Sequence, residues 1–234
     1  MPDLGEPLAV AALSLARRLS GGATLWCIAP DWPEHARHVA VEFVHPVVVG
    51  KRAFPAVSLD SSDPANALRS LVRAGDVVLA ISTGGSVATA AVMRRARAWG
   101  ATTMWLGVGS RPANHVADHM VWIDDDEPGV AETPAQYDGR LVLLYHVLWE
   151  LTHVCFEHPG LLAVVDEPEC GDGDVCITCS DEGRIGEVIS ADADGRARVR
   201  TATGIETIDT TIVPSVVAGD LVLIHAGAAI SGIP

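Results

Sequence analysis

A chain of 234 residues with 49% hydrophobic side chains is long enough to bury one large core or two modest ones. Its 30 acidic residues against 16 basic ones, a formal net charge of −14, exclude nucleic acid and anionic membrane as partners, because both are bound through Lys and Arg. The sequence shows no apolar run of about 18 residues and no leader-like N-terminus, so it predicts a cytoplasmic protein without a membrane span, and five cysteines, an odd number, point to reduced thiols.

In chain order, Leu8, Ala11, Ala12 and Leu15 recur at helical spacing, with Arg17 and Arg18 near the end and Gly21-Gly22 beyond, which predicts an amphipathic helix over 6–19. Residues 24–29 form a short apolar run, hence a strand. A helix over 33–43 opens on Pro33 and places His38 and Glu42 at i and i+4, so both share one face. Such a pair can hold a metal, supply a base, or simply form a surface hydrogen bond. Asp63-Pro64 opens a helix through residue 73, and Gly75-Asp76 precedes Val77-Val78-Leu79-Ala80-Ile81, a continuous apolar run of the kind buried on both faces of a parallel sheet.

Ser82-Thr83-Gly84-Gly85-Ser86 follows, then a helix over 87–99 and a strand over 102–107. This βαβ unit carries hydroxyls and glycines at its turn, where backbone N–H groups and the positive end of the helix favour an anion; the same turn also serves as an ordinary strand-to-helix cap. A short strand over 120–123 and the acidic run Asp124-Asp125-Asp126-Glu127, read as solvated loop, lead to a long helix over 137–157. Its buried stripe is Leu141, Leu144, Val147, Leu148 and Leu151, and His146 and His153 lie seven apart on nearly one face.

These residues, over roughly 5–157, resemble the sugar isomerase (SIS) domain and within it the phosphoheptose isomerases. The segment from Gly75 to Gly85 is similar to that family's strand and phosphate loop, and His38-Val39-Ala40-Val41-Glu42-Phe43 to its helix with a metal-binding histidine and a catalytic glutamate. The resemblance implies a doubly wound α/β sheet, a homo-oligomer, a phosphorylated small ligand held by Ser82, Thr83, Gly84, Gly85 and Ser86, catalytic roles for Glu42 and His146, and a zinc site of His38, Glu42, Asp138 and His146. Asp138 stands where the family has glutamine. The family's Gly-Gly-Ser turn is here Ala29-Pro30-Asp31-Trp32-Pro33, whose bulk and negative charge oppose a sugar phosphate.

The acidic, Gly-containing stretch 161–174 reads as a linker between a domain over 1–160 and a second over 175–234. The second opens on Cys176-Ile177-Thr178-Cys179. Alternating runs over 184–190 and 196–201 flank the hairpin turn Asp192-Ala193-Asp194-Gly195; a run over 205–208 and the buried run 221–227, carrying His225, complete a small antiparallel β-barrel of the OB type. The two thiols have half the spacing of a structural zinc site, with Cys155 and Cys170 available upstream, and a thiol beside a linker can also bind a soft metal or reach a partner.

Residues 175–234 resemble the small HypC/HupF-type hydrogenase maturation chaperones, through Cys176 to Glu182 at one end and Ala218 to Ile230 at the other. That resemblance implies an iron fragment with cyanide and carbon monoxide ligands as transient cargo on Cys176, assisted by His225, with a HypD-type maturation protein and a hydrogenase large-subunit precursor as partners. Val175 holds the place of that family's initiator methionine. The sequence thus predicts a nickel-iron hydrogenase maturation factor fused to an SIS-like domain, with a zinc-dependent sedoheptulose 7-phosphate isomerase as the alternative.

Overall fold

The structure is a computed structural model describing residues 4–113, 116–123, 134–163 and 183–233, with side chains of 134–138 excepted. Its first half runs α1 (Gly5–Ser20), β1 (Leu25–Ile28), α2 (Pro33–Val44), β2 (Ala56–Ser58), α3 (Pro64–Arg69), β3 (Val77–Thr83), α4 (Val87–Ala98), β4 (Thr102–Val108), β5 (His119–Ile123) and α5 (Pro134–Glu157), closed by a 3₁₀ turn at Pro159–Leu161. The five strands are all parallel, in the order β2-β1-β3-β4-β5.

The apolar run at the sheet's centre explains its two layers. Alternation sends Val77, Leu79 and Ile81 to one face, where they pack with Leu15 of α1, Phe43 of α2 and Leu148 of α5; Val78 and Ala80 go to the other, against Leu68 of α3, Met93 of α4 and Trp99 at its C-cap. The order of strands reverses between β1 and β3. The crevice at their carboxyl ends is therefore lined by the two turns that precede α2 and α4, the place where open α/β sheets bind ligands.

Two boundaries and one additional strand depart from the sequence reading. α3 ends at Arg69 instead of running to residue 73, because the Asp76 carboxylate takes the backbone N–H of Arg73 together with those of Thr24 and the Trp26 indole. β3 continues through Ser82 and Thr83, so the turn shrinks to Gly84-Gly85-Ser86. β2, a three-residue edge strand after Pro55, is too short to show a period.

The second half forms a closed five-stranded barrel from β6 (Arg184–Ala191), β7 (Arg196–Thr201), β8 (Gly204–Asp209), β9 (Leu221–His225) and β10 (Ala228–Ile233), around Val188, Val199, Ile208, Val222 and Ile224. The expectation of a purely antiparallel barrel is corrected at one seam. Four neighbouring pairs are antiparallel, and in a ring with an odd number of strands the fifth, β8 with β10, has to be parallel. The β9–β10 hairpin turns through Ala226 and Gly227, both at positive φ (48° and 79°).

The halves meet along α3 and α4. Glu187 of β6, 1% exposed, accepts a hydrogen bond from the Trp99 indole at 2.8 Å and pairs with Arg69 at 3.2 Å and, more distantly, Arg95 at 3.9 Å. Arg200 of β7 donates to the carbonyls of Arg69 and Val72, both at 2.7 Å, and lies over the Trp99 ring. Two guanidiniums and an indole on one half thus surround the carboxylate of the other. Among the described residues no helix is long and apolar enough to cross a membrane.

Candidate functional site

The first half brings together His38, Glu42 and His146, three residues from two helices. α2 places His38 and Glu42 one turn apart, with His38 Nε2 3.4 Å from Glu42 Oε1; α5 crosses so that His146 Nε2 lies 3.7 Å from the same oxygen. The crossing is pinned on both sides. The Trp149 indole donates to the Glu42 carbonyl at 2.9 Å, and Lys51 bridges Glu150 and Glu157 of α5 at 3.0 and 2.8 Å. His153, the other histidine on α5, is buried between the carbonyls of Trp149 and Arg52 with Phe43, Phe54 and Trp149 around its ring, and so fixes the helix to the loop after α2. That is a structural role.

Hydrogen-bond partners orient both imidazoles of the site. His146 Nδ1 sits 2.7 Å from the Val142 carbonyl, which can only accept, so Nδ1 carries a proton and Nε2 is turned to Glu42. His38 Nδ1 lies 2.7 Å from the Tyr145 hydroxyl, leaving its Nε2 facing the same carboxylate. Two ring nitrogens and a carboxylate oxygen then converge, their ligand atoms all within 4.8 Å of one another. A tetrahedral zinc ion with bonds of about 2.1 Å holds its ligand atoms roughly 3.4 Å apart, close to the 3.4 and 3.7 Å separations here, and N/O donors are the set zinc takes. The residues fit such an ion. Among the described residues this is the single group of three metal-capable side chains. Asp138, the fourth residue the resemblance implied, has its side chain outside the described residues.

The turn after β3 is built differently from an open phosphate cradle. Ser82 is fully buried and its hydroxyl donates to the Thr83 carbonyl at 3.2 Å; Ser86 caps α4, accepting from the Thr89 N–H and hydroxyl at 3.4 and 3.1 Å. Gly84 has no room for a β-carbon, which would collide with the Ser110 carbonyl and press on the Trp122 ring, whereas Gly85 faces open space. The backbone of Gly85 and the exposed Thr83 side chain stay accessible at the head of α4.

In the barrel, His225 is half-buried at the end of β9. Cys170, Cys176 and Cys179 lie outside the described residues, as does the acidic run 124–127. Cys27 and Cys155 are buried free thiols, and burial pushes the ionisation of both upward, so neither is a reactive thiolate. The sequence reading passed over Tyr145. Its signal was a polar tip within the apolar stripe of α5, next to His146 and in register with His38 on the facing helix.

The fold of the first half is that of the sugar isomerases. The structure of a phosphoheptose isomerase from Francisella tularensis matches with a TM-score of 0.56 at 17% identity, over 65% of this chain and 88% of that one. The sugar isomerase domain of the RpiR transcription factor from Sphaerobacter thermophilus matches with a TM-score of 0.48 at 14% identity, over 68% and 82%. No protein-family profile and no curated protein matches the sequence. The likeness is one of fold, to an SIS-type α/β domain; the resemblance of residues 175–234 to hydrogenase maturation chaperones gains nothing from these comparisons.

Proposed function

We propose that the first half is a sugar-phosphate isomerase that works with a divalent metal. The observation that supports this reading is the convergence of His38, Glu42 and His146 on an SIS-type fold. An aldose–ketose isomerisation moves one proton between adjacent carbons. Glu42 Oε1 faces the two imidazoles, which leaves Oε2 to remove the proton from the carbon beside the carbonyl; the freed electron pair forms the carbon–carbon double bond of an enediol as the carbonyl oxygen takes up a proton, and return of the proton to the neighbouring carbon, with loss of one from the adjacent hydroxyl, completes the exchange. In the metal-free site His146 Nε2 can relay protons to and from the sugar oxygens; where it holds the ion, those oxygens exchange their protons with water. A zinc ion held by His38, Glu42 and His146, with Asp138, supplies carbonyl polarisation when bound. The substrate phosphate rests on the backbone of the Gly84–Ser86 turn, on Thr83 and on the hydroxyl proton of Ser86, whose oxygen only accepts from Thr89, whereas Ser82 donates its own to the Thr83 carbonyl.

The test is turnover of sedoheptulose 7-phosphate to heptose 7-phosphate by the zinc-loaded protein. The expected result is measurable isomerisation at high KM, lost by roughly 10²–10⁴-fold in Glu42→Gln. No product from sedoheptulose 7-phosphate or shorter ketose phosphates would overturn it.

A second reading attaches to the other half. The described residues 183–233 of the part that resembles hydrogenase maturation chaperones fold as one closed barrel with His225 half-exposed. On this reading Cys176 carries an iron fragment with cyanide and carbon monoxide ligands from a HypD-type protein to a nickel-iron hydrogenase precursor, a soft thiolate suiting low-spin iron. Cys176→Ala abolishes maturation in a complementation assay while Cys179→Ala does less; full activity of the Cys176 variant removes the reading.

A further inference from the structure

The Tyr145 hydroxyl stands between two histidines of α2, 2.7 Å from Nδ1 of His38 and 3.5 Å from Nδ1 of His35, and both Tyr145 and His35 are buried, at 2% and 4% exposure. The rings are held edge-on: His35 and His38 each lie with interplanar angles of 68° and 75° to Tyr145, and Trp32 closes the far side of His35. An exposed ion pair on a helix surface needs no such support. A chain of hydrogen-bonding groups therefore runs from the buried His35 through Tyr145 and His38 to Glu42 and His146.

The direction of that chain depends on what occupies the far end. A neutral imidazole has one proton. When His38 Nε2 gives its lone pair to a cation, the proton has to be on Nδ1, where it donates to the Tyr145 oxygen; the tyrosine then turns its own proton toward His35 Nδ1. When Nε2 holds the proton and donates to Glu42, Nδ1 becomes an acceptor and Tyr145 donates to it instead. The two arrangements differ in the tautomer of His38 and in the direction of the bond between Tyr145 and His35.

We infer that Tyr145 is a positioning residue for a divalent cation at His38, Glu42 and His146, selecting with His35 the His38 tautomer that can bind the ion. This rests on the metal-dependent reading above and adds a residue to it. A hydroxyl placed on the outer nitrogen of a ligating histidine raises affinity for the metal by about 10–100-fold. Tyr145→Phe keeps the ring and its packing while removing that hydroxyl.

The experiment measures Zn²⁺ binding to the full chain by calorimetry, with the tautomer of His38 followed by nitrogen-detected imidazole NMR. The expected results are that Zn²⁺ moves the His38 proton to Nδ1 in the wild type, that Tyr145→Phe binds Zn²⁺ about 10–100-fold more weakly with an unchanged circular dichroism spectrum, and that His35→Phe, which removes the imidazole facing the Tyr145 hydroxyl while leaving residue 145 intact, weakens binding as well. Should Tyr145→Phe not fold, the His35 variant and the tautomer decide. Wild-type affinity in the variants, with binding lost in His38→Ala, overturns the role of Tyr145 alone. A wild type that does not bind Zn²⁺, or binds it equally well in His38→Ala and His146→Ala, overturns the cation site and this inference together.

Discussion

Replacing Glu187 by alanine tests whether the two halves of the molecule are locked by one buried carboxylate. Its side chain is 2% exposed and satisfies the indole N–H of Trp99, itself 1% exposed, so truncation strands a buried donor at a cost of about 1–3 kcal/mol. The arginines matter less. Arg69 and Arg95 have side chains about a third exposed, at 35% and 33%, and can turn to water once the carboxylate is gone, which holds each pairing to the scale of roughly 1 kcal/mol or below. Together the loss is about 3 kcal/mol, at the lower end of what breaking a buried ion pair costs. Urea unfolding followed by tryptophan fluorescence measures it. Glu187→Gln, whose amide oxygen still accepts from Trp99, should lose about 1 kcal/mol. If Glu187→Ala unfolds within about 0.5 kcal/mol of wild type, as an ordinary surface substitution does, the carboxylate is not the lock.

Two further perturbations probe the sheet and the α2–α5 seam. A β-carbon at Gly107 would overlap the ring of Trp122, which is fixed by its own bond to the Gly109 carbonyl and by edge-on packing with Trp105, so Gly107→Ala should lower stability by about 3 kcal/mol in the same urea assay; a loss below about 1 kcal/mol would show that the ring moves freely. The bridge from Lys51 to Glu157 holds the carboxyl below the usual carboxylate range and raises the lysine. Its contribution is therefore full above the ordinary carboxylate range, is lost as pH falls through the lowered Glu157 value, and at the alkaline end is lost as pH rises through the raised lysine value. Carboxyl NMR titration of Glu157 in wild type and Lys51→Met checks this: the variant should titrate at higher pH, and identical curves would refute the pairing.

Much of this fold is written in local pattern. A fully apolar run at Val77–Ile81 has one stable setting, between two helical layers, and the Gly-rich turn that follows it needs a helix start to satisfy its amides, so strand, turn and crossover come out together. What local pattern could not carry was set by tertiary partners. α3 stops where Asp76, a residue beyond its end, captures the Arg73 amide. β10 reads Ala-Ala-Ile-Ser-Gly-Ile, a composition with little strand preference, and exists because β9 offers it an edge. The lock at Glu187 was equally silent, since a charged residue in a strand looks solvent-facing until Trp99, far away in sequence, is found beside it.

The site shows the same division at the level of single atoms. Spacing alone places His38 and Glu42 on one face of a helix, and such a pair serves a metal, a base or nothing at all. What separates these outcomes is the supply of a third group and the state of each nitrogen. α5 provides His146, and the Val142 carbonyl, by accepting from Nδ1, leaves Nε2 aimed at Glu42. With Tyr145 able to set His38 in the same sense, Nε2 of both rings faces one carboxylate oxygen, and a proton on a ring nitrogen or a cation among the three groups is what makes that contact favourable. Which of the two it is depends on the hydrogen bonds on the outer sides of the rings, which no reading of residue spacing could supply.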